Sequence, residues 1–171
     1  MKNREITKQA DQLLVKMKVT AAPVPVLEMA SALGIKVRTG PLPDELSGFL
    51  VREEGAVVIG VNSLHPKPRQ AFTLAHELGH YFLHPSGNFV DRTLIYFRDT
   101  RSAEAVDVKE IQANQFAADL LMPERFLHAA LKDKTVDLED ERRLADLAKS
   151  FGVSVQALMF RIINLNLARQ S

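Results

Sequence analysis

Arg69-Gln70-Ala71-Phe72-Thr73-Leu74-Ala75-His76-Glu77-Leu78-Gly79-His80-Tyr81-Phe82-Leu83-His84 contains His-Glu-x-x-His in a run with helical spacing. Residues four apart on a helix share a face, so His76 and His80 point the same way and can share one tetrahedral zinc. Glu77, one position round, is placed to take a proton from an activated water without being a ligand. Pro66 and Pro68 end what precedes, and no proline follows until Pro85, which leaves room for about four turns. Phe72, Leu83 and the Ala71/Ala75 pair supply an apolar side for burial. Gly79 costs about 1 kcal/mol against alanine inside a helix. Its presence predicts something close to the backbone there, such as a substrate or a packed strand.

Composition bounds the rest. The chain has 171 residues, 46% hydrophobic and 25% charged, which suits one globular domain or one domain with a small appendage. A net charge of +1 creates no global field for nucleic acid or anionic lipid. There are no cysteines, so disulfides, thiolate zinc sites and a cysteine nucleophile are excluded, and a reducing compartment is consistent. Met1 to Lys18 scatters lysines among its apolar residues and is not expected to act as a signal peptide. No run is long enough to span a bilayer, so a cytoplasmic protein is expected.

Upstream, Ile6, Leu13, Leu14 and Met17 predict a helix over residues 3–18, and Val26 to Leu33 predicts a second, stopped by Gly34. Three strands are expected at Ile35 to Arg38, Ser47 to Arg52 and Ala56 to Val61, the last two joined by a turn at Glu53-Glu54-Gly55. Val57-Val58-Ile59 is the most strongly strand-forming piece, and a free edge there could pair with an extended peptide. From Pro85 to about Ala105 a long loop rich in Arg and Asp is expected. Helices follow over Val106 to Leu121, Glu124 to Leu131, Asp140 to Lys149 and Ser154 to Asn164.

A catalytic zinc needs a third protein ligand. His84 lies two turns beyond His76, about 12 Å along the axis, too far to share the ion with both helix histidines. A third histidine six residues after the second would fall on Ser86, which excludes that class. His65 and His128 stand alone and are expected at the surface. Glu110 is the leading candidate, with Glu104 and Asp107 as alternatives. Glu110, Asn114, Ala117 and Leu121 fall on one helical face; Ala113 and Ala117 are small enough for two helices to approach closely. Asn114 could orient a ligating histidine by hydrogen bonding.

Phe72-Thr73-Leu74-Ala75-His76-Glu77-Leu78-Gly79-His80, followed by Glu110-x-x-Ala113-Asn114-x-Phe116-Ala117-Ala118-x-Leu120-Leu121-Met122-Pro123, resembles the ImmA/IrrE family of bacterial metallopeptidases. The strand ending in Val61-Asn62 is similar too, and the likeness covers roughly residues 25–125. It implies a gluzincin-like site with His76, His80 and Glu110 as zinc ligands, manganese being the alternative ion, and Glu77 as general base. It implies an endopeptidase that cuts helix-turn-helix repressors of mobile elements, stress responses or toxin–antitoxin-like pairs. The fold expected is α+β: a zincin-like core at residues 1–125 with a small, mostly antiparallel three-stranded sheet on helices, then a C-terminal helical extension, 126–171, packed on it. Neither the N-terminal DNA-binding domain of some fused relatives nor a separate C-terminal sensor domain is expected within this sequence. Tyr96 is the favoured oxyanion donor, ahead of Tyr81, His84 and the arginines of residues 92–101.

Leu144 to Leu158 has the helix–Gly–helix look of a DNA-binding pair, which raises a rival reading as a zinc-bound repressor-binding or DNA-binding regulator without turnover. From Pro123 onward there are 8 Lys/Arg against 7 Asp/Glu, a net of +1, and the second helix offers only Gln156, Arg161 and Asn164 as long polar readers. Phosphate contacts need more cations, so direct DNA binding is not expected.

Overall fold

The computed structural model describes residues 3–53, 55–92, 104–132 and 134–169, with backbone alone at 91–92 and 104–107. Helix α1, Asn3–Lys16, buries Ile6, Ala10, Leu13 and Leu14, the i, i+4, i+7, i+8 stripe of an amphipathic helix. Helix α2, Val26–Ala32, is followed by Gly34 at φ +76°, a conformation that favours glycine. Three strands follow: β1, Lys36–Gly40; β2, Leu46–Glu53; and β3, Ala56–Asn62. Gly55, with φ +80°, makes the β2–β3 turn.

The sheet has four strands, not three. β4, Phe89–Arg92, pairs antiparallel with β2, giving the order β1-β3-β2-β4. This corrects the expected loop from Pro85: residues 89–92 are strand, while 93–103 lie outside the described residues. β1 runs parallel to β3 and β2 antiparallel to it, so two of the three pairings are antiparallel. β3 is therefore interior, and the free peptide-pairing edge expected there does not exist. Ile59 and Val61 are buried, and an apolar strand with neighbours on both sides keeps such residues and its backbone groups out of water.

Asn62 ends β3 with a side chain that is 0% exposed. Its amide nitrogen donates to the carbonyls of Leu42, Pro43 and Leu46 at 3.2, 3.3 and 2.8 Å, and its oxygen accepts from the Leu42 and Leu64 amides at 3.2 and 3.0 Å. One buried side chain thus holds the 42–46 loop beside the sheet. Asn62→Ala should destabilise the protein by about 1–3 kcal/mol, since buried backbone groups lose their partner; urea unfolding measures this, and an unchanged midpoint would contradict it.

Helix α3, Lys67–Leu83, lies against the sheet and is crossed by α4, Glu104–Leu121. A Cβ on Gly79 would sit 3.0 Å from both the Cα and the carbonyl oxygen of Ala113. The close neighbour predicted from Gly79 is thus a second helix, and neither substrate nor strand. Gly48 plays the matching part on the sheet, where a Cβ would lie 2.5 Å from Thr73 Cγ2. Gly79→Ala should push α3 from α4 and cost about 1–3 kcal/mol despite alanine's better helix propensity. Thermal melting would show a lower midpoint; a higher one would mean the crossing has slack.

Beyond α4 come α5, Glu124–Leu131; α6, Glu141–Phe151; and α7, Val155–Asn164. The α6 and α7 N-termini are capped by Asp140 and Ser154, and Gly152 at φ +68° makes the turn between them. Leu144, Phe151, Leu158 and Ile162 belong to the same buried cluster as Leu14, Phe116 and Leu120. Arg161 is 5% exposed and turned inward: it bonds Asp119 at 2.7 Å and the Met122 carbonyl at 3.0 Å. Thr7 and Gln115 also donate to Asp119, at 2.8 and 3.0 Å. Arg161 is thus not an outward polar reader, which corrects its inclusion beside Gln156 and Asn164.

Candidate metal centre

The crossing of α3 and α4 brings together side chains that lie far apart in sequence. His76 and His80, 3% and 1% exposed, stand one turn apart on the buried face of α3. Their Nε2 atoms are 3.0 Å apart. From α4, the Glu110 oxygens lie 3.0 Å from His76 Nε2 and 3.2 Å from His80 Nε2. Among the described residues, His76, His80 and Glu110 form a group able to hold a metal ion, with ligand atoms within 4.8 Å of one another. His84 is outside it, as the helical rise predicts. The side chains of the alternatives Glu104 and Asp107 lie outside the described residues.

The donor set suits a divalent ion. Asn114 Oδ1 lies 2.9 Å from His76 Nδ1. A carboxamide oxygen only accepts, so Nδ1 donates to it and Nε2 is the nitrogen turned toward Glu110 and His80, where it could serve as a ligand atom. Asn114 thus lies within hydrogen-bond reach of the His76 ring. Tetrahedral ligands at about 2.0–2.1 Å from zinc would stand roughly 3.3 Å from one another, close to the observed separations. Two neutral imidazoles and one carboxylate also leave a divalent ion with a net positive charge. Burial pushes the Glu110 carboxyl up, but when His76 and His80 are protonated their hydrogen bonds and charge outweigh it and bring its pKa down to about 2. The carboxylate is therefore ionised at neutral pH.

Glu77 is 0% exposed. It lies close to β2, its Oε1 3.6 Å from where a Cβ on Gly48 would stand. Tyr96, Arg98 and Arg101 lie outside the described residues. Tyr81 packs edge-on to Phe82, with its ring 5.7 Å from the Arg52 guanidinium. His84 is buried, which lowers its pKa, and its Nε2 donates to the Lys109 carbonyl at 3.3 Å.

Two neighbours were not legible as site residues. Phe89, from β4, stacks on His80 with ring centroids 4.1 Å apart and planes 12° from parallel. Arg52, from β2, donates to the His80, Tyr81 and His84 carbonyls at 3.4, 3.3 and 3.2 Å and also to Gly87. A cation there gives the carbonyls of the helix end a further partner and complements its dipole. The available signals were slight: an arginine closing an apolar strand, and one aromatic in a polar loop.

A His-Glu-x-x-His helix backed by a mostly antiparallel sheet and crossed by a helix bearing a carboxylate defines a zincin-like α+β fold. Residues 30–162 match Peptidase_M78, the IrrE N-terminal-like domain. The chain belongs to this family. It is 35% identical over 127 residues to "Uncharacterized immunity region protein 2" of Bacillus phage phi105, covering 72% of this chain and 75% of that one. Its fold is similar to that of a Mycobacterium tuberculosis transcriptional regulator, with a TM-score of 0.65 and 22% identity over 93% of this chain. The chain spans 46% of that structure's length, and at this identity the likeness concerns the fold alone. Among the described residues, no helix is long and apolar enough to cross a membrane.

Proposed function

We propose that the protein is a zinc-dependent endopeptidase of the cytoplasm that cuts a helix-turn-helix transcriptional repressor. The observation that carries this is the meeting of His76, His80 and Glu110 at about 3 Å beside a buried Glu77. In this reading the first three hold the ion, zinc or alternatively manganese. A bound divalent ion supplies Lewis acidity and lowers the pKa of water toward neutrality. Glu77 takes the proton of the attacking water and delivers it to the leaving amine. Asn114 keeps His76 in the tautomer with a bare Nε2. Tyr96 is the proposed donor to the developing oxyanion.

The substrate would enter as an extended strand along β4. Its Phe89 lies on His80, so backbone pairing along that strand's outer edge would bring a peptide beside the site. A relative named for a phage immunity region supports regulation of a mobile element as the setting. No DNA contact is assigned to α7, whose Arg161 is engaged by Asp119 and whose Phe160 and Ile163 are exposed.

The test is to incubate the purified protein with the repressor encoded beside it, with and without chelator, and to weigh the products by mass spectrometry. Two fragments that sum to the repressor plus one water, absent with chelator, are expected. An intact repressor in both samples would overturn the reading.

A further inference from the structure

His84 lies outside the metal-binding group yet joins three elements around it. Its backbone N–H donates to the His80 carbonyl at 3.0 Å, closing α3. Its own carbonyl accepts from Arg52 of β2 at 3.2 Å. Its ring reaches the Lys109 carbonyl of α4 at 3.3 Å, one residue before Glu110. A carbonyl has no proton to give, so the imidazole must donate through Nε2–H. In the helix ladder the Lys109 carbonyl serves the amide four residues on, and its second lone pair is the one His84 takes. Phe89 closes the arrangement: it stacks on His80, stands 5.8 Å from the His84 ring and lies under the Lys109 ammonium at 5.6 Å.

We propose that His84 is a positioning residue for Glu110: its bond to the Lys109 carbonyl fixes the second turn of α4, so that both Glu110 oxygens face His76 and His80. Gly79 against Ala113 sets how closely the helices approach. That contact lies one turn C-terminal to Lys109 on α4 and does not by itself stop the preceding turn from swinging. Asn114, bonded to His76, also holds α4 on the C-terminal side of Glu110, and His84 supplies the attachment on its N-terminal side. This role rests on the metal site proposed above, since a carboxylate needs accurate placement only if it shares an ion with the two imidazoles.

The test compares zinc affinity, by chelator competition, in the wild type, His84→Ala, His84→Gln and Glu110→Ala, with amide hydrogen exchange on the metal-free proteins. His84→Ala should weaken zinc binding about 10–100-fold, the usual effect of losing a partner that orients a ligand. Exchange should quicken in residues 108–114 while α6 and α7 keep their protection. His84→Gln, which retains an N–H donor of similar reach, should recover most of both. Wild-type affinity in His84→Ala would overturn the role, as would equal loss in the Ala and Gln variants, which would reduce His84 to packing. If Glu110→Ala loses zinc and His84→Ala does not, the metal site stands and this inference alone falls. If the wild type binds no zinc, or Glu110→Ala binds as tightly as the wild type, the metal-site reading fails and takes this inference with it.

Discussion

Glu77→Gln should slow repressor cleavage about a hundred- to ten-thousand-fold, the usual contribution of a positioned acid–base group. The substitution keeps the size and hydrogen-bonding reach of the side chain and removes its ability to carry a proton between water and amine. Glu77 is 0% exposed and lies next to His76, so an isosteric change is the appropriate probe; a truncation would open a cavity. Zinc content should stay at one per chain, because the ion is assigned to other side chains. Initial cleavage rates by mass spectrometry and metal content by atomic emission decide this. A variant as fast as the wild type would remove Glu77 from the chemistry. A variant that cannot cut but still relieves repression would favour a protein that sequesters its partner.

Glu110→Ala should abolish stoichiometric zinc binding, with a loss beyond the roughly 100-fold expected when only an orienting partner is removed. The two imidazole nitrogens would remain 3.0 Å apart with no anion to complete the set. The fold should survive, since the small residues that let α4 cross α3, Ala113 and Gly79, are untouched. Equilibrium dialysis against zinc, with circular dichroism as the control, separates metal loss from unfolding. Full zinc content would send the search to Glu104 and Asp107, earlier on the same helix.

The helices were the legible part of this chain. Most combine a buried stripe at helical spacing with a proline or glycine at one boundary, and both signals are local. The α3–α4 crossing was half legible: Ala113 and Ala117 announced a close approach, but nothing local to Gly79 said that its neighbour was a helix. β4 was hidden because four residues with one apolar pair, Phe89-Val90, give no measurable alternation. The parallel β1–β3 pairing was equally hidden, since strand order depends on contacts distant in sequence, and so β3 was credited with an edge it lacks. Arg161 was misread from its chemical type. Its position was the better guide, because it shares a helical face with Leu158 and Ile162, while Asp119 shares one with Phe116 and Leu120. Two opposite charges on two apolar faces predict a buried pair. In the candidate site, His76 and His80 were readable from spacing alone, whereas Arg52 and Phe89 became visible only once the sheet was assembled.

The most direct measurement is anomalous diffraction at the zinc edge from crystals grown with the metal. A single peak about 2.0–2.2 Å from His76 Nε2, His80 Nε2 and a Glu110 oxygen, with solvent in the remaining position, is predicted. A peak coordinated by other residues, or no peak between α3 and α4 at saturating zinc, would contradict the account.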